Sequence, residues 1–270
     1  MKIFWEKNNV WLKISGYICV KIELNMGRIL YRIYFWVVCV PLFLVLTLLT
    51  ALFTIVGCVW GSKRIFAYYP GMIWSRLTCY LALCPVTVKG LEHIEKGRSY
   101  VFVANHQGAF DIFLIYGFLG VPIKWVMKAG IGKIPFVGAA CRAAGFIFVD
   151  NSSAKTAVRS VREAERCLHE GASIMICPEG SRTYDGRMIR FKKGAFQMAL
   201  DQQLPIIPIT LNGPFHVLPI GSLNVHRGPM EMVIHPAVST TSLEHTHQTL
   251  QSLAAETQAT IETDLWPCYR

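Results

Sequence analysis

The stretch "SYVFVANHQGAFDIFLIYGFL", residues 99–119, joins a strand-like run to a helix-like run through a short polar turn. Its first part, "SYVFV", is rich in β-branched and aromatic residues, as buried strands are, and it predicts a strand at YVFVAN (100–105). Its last part, "FDIFLIYGFL", predicts a buried helix. A strand followed at once by a helix is the repeating unit of an α/β domain.

The same alternation continues along the chain from about Pro85. Six further strand-like runs are VTVKG (86–90), IKWVMK (123–128), GFIFVD (145–150), SIMICPEG (173–180), PIIPITLN (205–212) and MEMVIHP (230–236). The clearest helices are predicted at Ser152–Glu170 and Lys193–Gln203. We therefore predict an α/β domain with a mostly parallel sheet flanked by helices, because crossover helices cover both faces of such a sheet.

The N-terminal region is different, because the run Tyr34–Trp60 carries no charge. About 20 apolar residues are enough to cross the core of a bilayer. A second apolar stretch, residues 68–88, is interrupted by Arg76 and predicts an amphipathic helix at the membrane interface. We predict an N-terminal extension with membrane-anchoring helices over residues 1–84 and a catalytic domain over residues 85–270. Basic residues flank the first segment on both sides, so a spanning helix and a hairpin that dips into one leaflet both stay open.

The composition separates classes of function. The formal net charge is +10, and the chain is 53% hydrophobic and 16% charged. Between Lys124 and Lys193 basic residues outnumber acidic ones by about two to one, which favours anionic lipid or a phosphate-bearing substrate. No nucleic-acid-binding module is recognisable, so nucleic acid is not expected as a partner. The nine cysteines form no CxxC pair, and no metal site is predicted.

The turn between the first strand and helix holds the candidate chemistry. His106 follows the strand, and Asp111 falls where the helix begins. Histidine is suited to proton transfer near neutral pH, and a carboxylate on its distal nitrogen fixes the tautomer. The bland alternative is a capped helix. A serine hydrolase would need a nucleophile, but "PEGSRT" at 178–183 is not a G-x-S-x-G elbow. The pair therefore predicts a base that activates a hydroxyl of the substrate itself.

Four blocks along the chain resemble those of the glycerolipid acyltransferases. The blocks are "NHQGAFD" (105–111), "GFIFVDN" (145–151), "CPEGSRT" (177–183) and "PIIPIT" (205–210). They occur in the order found in that family, and the resemblance covers about residues 85–215. Within the family the chain is most similar to the bacterial 1-acyl-sn-glycerol-3-phosphate (lysophosphatidic acid) acyltransferases.

The resemblance implies roles for individual residues. His106 matches the general base of the family, and Asp111 matches the residue that orients it. Lys128 matches a lysine that contacts phosphate. The third block implies binding of the acceptor and its phosphate by Glu179, Gly180, Ser181 and Arg182. Backbone donors are expected from a helix that begins after this block.

Two positions depart from the family pattern. Asn151 stands where the second block usually ends in arginine, and Gly130 stands where an acidic residue usually follows the phosphate-binding lysine. Both departures bear on the head group of the acceptor more than on the reaction.

The resemblance implies an enzyme of phospholipid biosynthesis. The expected reaction moves an acyl group from acyl-CoA or acyl carrier protein to the sn-2 hydroxyl of lysophosphatidic acid, giving phosphatidic acid, without a resident cofactor. The expected place is a membrane, with the catalytic domain facing the cytoplasm at a bacterial inner membrane. Two alternatives stay open: an acceptor that is another lyso-lipid, such as a lyso-aminolipid, and a non-catalytic membrane lipid-binding protein.

Overall fold

The computed structural model describes residues 26–149, 162–168 and 171–270. The chain divides into two compact units, Met1–Phe43 and Leu44–Arg270. The described part of the first unit, from residue 26, is helical. The second unit contains the sheet and the residues to which the sequence assigns a function.

The centre of the second unit is one seven-stranded sheet. Its strands are β1 Val86–Lys89, β2 Val101–Ala104, β3 Ile123–Lys128, β4 Ile147–Val149, β5 Ser173–Ile176, β6 Ile206–Asn212 and β7 Met230–Ile234. Each of the seven predicted runs contains one of them. The order is β1-β7-β6-β2-β5-β3-β4, and only the β6–β7 pair is antiparallel. The predicted α/β fold with a mostly parallel sheet is confirmed.

Helices cover the sheet and precede it. They are α1 Met26–Trp60, α2 Lys63–Phe66, α3 Tyr69–Leu81, α4 Phe110–Phe118, α5 Val137–Ala143, α6 Gly194–Asp201, α7 Pro214–Val217 and α8 His247–Thr263. The helix predicted at Lys193–Gln203 is α6. Of the helix predicted at Ser152–Glu170, residues 152–161 and 169–170 lie outside the described residues, and residues 162–168 are helical.

The sequence did not single out α8, since its apolar residues are few. It buries Leu253, Ala254, Thr257 and Ile261 on one side, and those spacings of one, three and four residues follow one helical face. Together with α6 and residues 162–168 it covers one face of β2, β5 and β6. These three strands are buried along their whole length.

The long helix α1 is apolar enough, and long enough, to cross a membrane by length and composition. Core helices and signal sequences can be as long and as apolar, but only 17% of the most apolar 18-residue stretch of α1 is buried. A π-helical turn, Phe35–Cys39, interrupts its regular hydrogen bonding. In the second unit Trp74 of α3 donates a 2.9 Å hydrogen bond to the hydroxyl of Thr47 on α1, so α1 and α3 contact each other as a helical pair.

The arginine that interrupts the second apolar stretch is a packing residue. Arg76 Nε donates a 2.6 Å hydrogen bond to the carbonyl of Gly117 in α4, and its guanidinium lies 5.5 Å from the ring of Phe118. Close approach of α3 and α4 also depends on Gly71, where an added Cβ would lie 2.4 Å from the ring of Tyr116. The predicted second helix therefore exists, and one face of it packs on the sheet domain.

The direction of the strands determines where loops meet. Strands β2 to β6 run in one direction, so their carboxyl ends share one edge of the sheet. Strand β7 is antiparallel to β6, and β1 is parallel to β7. Strand β1 therefore begins at that same edge, and residues 82–85 separate it from the end of α3. In parallel sheets this edge is where ligands bind.

We expect Gly71→Leu to destabilise the helix pair. The larger side chain must displace the ring of Tyr116, and overpacking of this kind costs about 1–3 kcal/mol. Thermal unfolding in detergent should detect the loss. Gly228→Leu is the matched control, because nothing lies within 4 Å of a Cβ there. Equal melting temperatures for the two variants would contradict the close α3–α4 contact.

Candidate active site

The first loop at the carboxyl edge follows β2 and is fixed by Asn105. The side-chain amide of Asn105 donates to the Leu211 carbonyl at 3.0 Å and accepts from the Leu211 backbone N–H at 2.7 Å. This pair of bonds repeats the pattern of a sheet ladder one residue beyond the strand. It ties the start of the loop to β6 and fixes the direction in which the next residue leaves the sheet.

His106 and Asp111 form a hydrogen-bonded dyad. His106 Nδ1 lies 2.6 Å from Asp111 Oδ2, which also accepts the backbone N–H of Gly108 at 3.0 Å. Asp111 lies on the first turn of α4 and is 1% exposed, whereas the histidine side chain is 25% exposed. A carboxylate acceptor holds the proton on Nδ1 and leaves Nε2 unprotonated. The partly exposed Nε2 can then accept a proton from a bound hydroxyl.

Glu179 links the two loops that form the site. One carboxylate oxygen accepts the backbone N–H of His106 at 2.7 Å, and the other accepts that of Ile189 at 2.8 Å. The residue is only 3% exposed. Burial raises the pKa of this carboxyl to about 7, although the two backbone bonds act in the opposite direction. The contacts make Glu179 a positioning residue for His106, while its predicted part in acceptor binding stays a prediction.

The third block forms a tight turn after β5. The Gly180 N–H donates to the Cys177 carbonyl at 3.1 Å, and Gly180 has a φ of +75°, which glycine adopts without strain. The backbone N–H of Lys192 donates to the Pro178 carbonyl at 3.0 Å. A Cβ added at Gly180 would lie 2.5 Å from Lys192 Nζ. The lysine side chain therefore lies directly on the turn.

The segment after the third block is a loop, so the expectation of a helix N-terminus there is wrong. The next helix, α6, begins only at Gly194. The loop is instead fixed by Thr183, whose N–H donates to the His106 carbonyl at 3.1 Å and whose hydroxyl accepts the Gly186 N–H at 3.1 Å. Its hydroxyl also donates to Asp185 at 3.0 Å. The loop from 181 to 193 is thus held by side-chain bonds, and no helix N-terminus in it supplies backbone donors to a ligand.

Three cations at this edge have unpaired head groups. Arg182 is half-buried, and Lys128 and Lys192 are exposed. Within the described part of the chain none of the three side chains makes an ion pair or a hydrogen bond. Lys128 ends β3, which lies next to β5 in the sheet. The edge therefore presents positive charge beside the dyad, and this charge is free to bind an anion.

The other residues that the sequence singled out are either exposed or outside the described part of the chain. Ser181 is exposed beside Gly180, and Gly130 is exposed two residues after Lys128. Asp150 and Asn151 of the second block lie outside the described residues. Among the described residues no group of three His, Cys, Asp or Glu side chains is arranged to hold a metal ion.

Two residues of the site were missed by sequence reasoning, Asn105 as a clamp and Lys192 as a cation of the turn. The signal for Asn105 was a single amide at the end of an apolar strand. Lys192 lies in "FKKGAF" (191–196), where two adjacent lysines could not be told apart from sequence alone. The structure separates them, because Lys193 Nζ pairs with His247 Nε2 at 2.6 Å and Lys192 does not.

Comparison with known proteins adds a family to this geometry. The sequence profile of a family described as Acyltransferase matches residues 85–212. The chain is 31% identical over 178 residues to the 1-acyl-sn-glycerol-3-phosphate acyltransferase LPAT1, chloroplastic, of Arabidopsis thaliana, covering 65% of this chain and 49% of that protein. It thus spans about half the length of this chloroplast relative.

A bacterial relative and a solved structure are matched over more of their length. The 1-acyl-sn-glycerol-3-phosphate acyltransferase of Pseudomonas aeruginosa is 30% identical over 195 residues, which are 67% of this chain and 75% of that protein. The crystal structure of the 1-acyl-sn-glycerophosphate (LPA) acyltransferase PlsC from Thermotoga maritima superposes with a TM-score of 0.73 at 25% identity. That match covers 88% of this chain and 96% of the other.

We expect the buried Glu179 carboxyl to make stability depend on pH. Its pKa is about 7 in the folded protein and ordinarily 4.5, so between these values the folded state binds the proton more tightly than the unfolded state. The free energy of unfolding should therefore fall by up to about 3 kcal/mol as pH rises through this range. Denaturation in detergent at several pH values measures the slope.

The substitution Glu179→Gln should lower stability overall, because an amide cannot accept both backbone N–H groups, and should remove this part of the slope. Glu244→Gln, at an exposed position, is the control and should leave the slope as it is. An identical pH dependence in Glu179→Gln and the unsubstituted protein would show that the carboxyl does not titrate in this range.

Proposed function

The chain belongs to the acyltransferase family, and we propose that it transfers an acyl group to the sn-2 hydroxyl of 1-acyl-glycerol-3-phosphate, giving phosphatidic acid. The observation that carries the proposal is the His106–Asp111 dyad, which lies at the sheet edge where unpaired cations are also found. A base beside an anion-binding surface suits an acceptor with both a hydroxyl and a phosphate.

The geometry supports a direct transfer. His106 Nε2 removes the proton of the acceptor hydroxyl while the oxygen attacks the thioester carbonyl of the acyl donor. The new C–O bond forms, the C–S bond breaks, and the thiolate that leaves takes the proton from the imidazolium. Asp111 stabilises that imidazolium, because its oxygen lies 2.6 Å from Nδ1. Every step uses groups that the dyad, the acceptor and the donor supply.

The phosphate of the acceptor is the proposed ligand of the three cations. Arg182 can bind phosphate through two parallel hydrogen bonds from its planar guanidinium. Lys128 and Lys192 add point charges near the end of β5, since one ends the neighbouring strand β3 and the other lies on the turn at Gly180. Gly180 and Ser181 keep this turn small, so that a phosphate can approach its backbone.

The finer setting of the reaction is also a proposal. We assign acyl-CoA or acyl carrier protein as co-substrate, membrane lipid as the source of the acceptor, and no resident cofactor. Residues 1–84 would form the extension and anchor, and residues 85–270 the catalytic domain; the family profile, which begins at residue 85, supports this division. The apolar helix α1 and the bacterial relative support a membrane location, which we assign to a bacterial inner membrane with the domain on its cytoplasmic side.

A second acceptor is worth testing, because the sequence departs from the family pattern at Gly130 and Asn151. A lyso-lipid with another head group, such as a lyso-aminolipid, would use the same dyad and fewer cations. The non-catalytic alternative is less favoured, since a lipid-binding protein has no use for an aligned base and its orienting carboxylate.

We expect His106→Ala to lower turnover by at least ~100-fold, because positioned acid–base catalysis contributes about 10²–10⁴-fold. Asp111→Asn should be similarly severe, since an amide can hold the wrong tautomer. The measurement is transfer of a labelled acyl group to lysophosphatidic acid by purified, membrane-reconstituted protein. His245→Ala is the control, because His245 is exposed and pairs with Asp201. Near-normal turnover by His106→Ala would remove the proposed base.

We expect Arg182→Ala to lower kcat/KM for lysophosphatidic acid by tens to hundreds of fold, because hydrogen bonds to charged groups are worth roughly 1.5–3 kcal/mol. Arg182→Lys should also be costly, since an ammonium cannot reproduce the planar fork. Lys128→Ala and Lys192→Ala should follow the same pattern more mildly.

The control acceptor is an uncharged monoacylglycerol, on which these losses should be much smaller. The control variant is Lys96→Ala, an exposed lysine before β2 and hence at the opposite edge of the sheet. Losses of equal size on charged and uncharged acceptors would mean that the three cations support the fold or the acyl donor instead of the phosphate.

A further inference from the structure

An exposed apolar turn follows the strand that carries Lys128. Lys133–Phe136, here called the apolar turn, is exposed at all four positions. Ile134 is 49% exposed and Phe136 is 61% exposed. Burial of side chains of this size is worth about 1.5–3 kcal/mol each, so their exposure two positions apart in one turn points to a partner.

The apolar turn has a strained backbone. Phe136 has φ of +59° and ψ of −49°, and the Val137 N–H donates to the Pro135 carbonyl at 2.6 Å. This is a γ-turn of the rare, strained form, which costs of order 1–3 kcal/mol at a non-glycine residue. The turn is held from below, because a Cβ added at Gly138 would lie 2.2 Å from the Gly132 carbonyl oxygen. The fold therefore supports an unfavourable conformation that keeps the phenyl ring in solvent.

The charge around the apolar turn has one sign. The sequence between Asp111 and Asp150 contains no acidic residue, and three of its four basic residues, Lys128, Lys133 and Arg142, lie near the turn. The fourth, Lys124, lies at the start of β3 and donates to the Ala144 carbonyl. Arg142 donates a 2.8 Å hydrogen bond to the Gly132 carbonyl, at the base of the turn. Each basic residue near an anionic bilayer adds about 1 kcal/mol of attraction. A basic surface with an exposed aromatic tip matches the interface of an anionic membrane.

The apolar turn is also connected to the helices that precede the sheet. Tyr116 donates a 2.7 Å hydrogen bond to the carbonyl of Ala67, between α2 and α3. The ring of Tyr116 also packs edge-on against that of Phe146, with 5.7 Å between the ring centroids. The backbone N–H of Phe146 donates a 2.9 Å hydrogen bond to the Cys141 carbonyl at the end of α5. A short chain of contacts thus runs from the α1–α3 helices to the helix that begins at the apolar turn.

We propose that the apolar turn is a second membrane contact, in which Ile134 and Phe136 enter the interface of an anionic bilayer beside the mouth of the phosphate site. The contact is separate from the long apolar helix α1. It rests on the proposed function only in that the acceptor is a lipid. When this edge of the sheet is docked on the membrane, the acceptor enters the site without leaving the bilayer.

The direct test is photo-crosslinking in the full chain, reconstituted in vesicles of labelled phosphatidylglycerol and phosphatidylethanolamine. Phe136 is replaced by photoreactive p-benzoylphenylalanine, and Leu91, an exposed residue after β1 at the opposite edge, is replaced in the same way as the control. We expect lipid adducts at position 136 and few or none at position 91. Equal labelling at both positions, or protein–protein adducts at 136, would overturn the proposal.

Kinetics gives a second measurement. Phe136→Ser should raise KM for long-chain lysophosphatidic acid in anionic vesicles by up to about tenfold, and leave KM for a short-chain, water-soluble acceptor unchanged. Leu91→Ser should change neither. A loss confined to acyl carrier protein as donor, with lipid adducts absent, would assign the turn to that protein. The crosslinking result does not depend on activity, so failure of the proposed reaction and failure of the contact can be told apart.

Discussion

The site depends on one buried carboxylate. Glu179 accepts the main-chain N–H of His106 with one oxygen and that of Ile189 with the other, and so joins the loop after β2 to the loop after β5. A carboxylate removed from water is stable only when such donors satisfy it. The two loops therefore cannot separate without exposing an unpaired acid or two unpaired amides. The base reaches its position because the backbone beneath it is held, and Asp111 then orients the ring and holds the proton on Nδ1.

This arrangement explains a division of labour among the charged groups. The acids of the site, Glu179 and Asp111, are both buried and both accept backbone N–H groups. The cations, Arg182, Lys128 and Lys192, are more exposed and lack protein partners among the described residues. The buried acids fix the loops, and the more exposed cations remain available to a ligand. A substrate phosphate thus meets positive charge, while the carboxylates of Glu179 and Asp111 are occupied by backbone donors.

Much of the fold could be predicted from the sequence, because its strands carry dense β-branched and aromatic runs. All seven predicted strands are present. A run such as "YVFVAN" buries more of its side chains as a central strand than it would as a helix. Helix α8 was not predicted, because only a narrow face of it is apolar and the rest is polar. The dyad could be predicted from spacing, whereas the role of Glu179 could not. Its partners are 73 and 10 residues away, and nothing in "PEGSRT" reveals which backbone it meets.

The link between α3 and β1 has a mechanical consequence. Only residues 82–85 separate Leu81 from Val86, and four residues span at most about 14 Å when fully extended. Two of them, Ala82 and Cys84, are buried, so this reach is not available as slack. The link is therefore a short connection with little slack between α3 and the carboxyl edge of the sheet. The end of α3 and the carboxyl edge of the sheet therefore keep a separation that the fold itself sets.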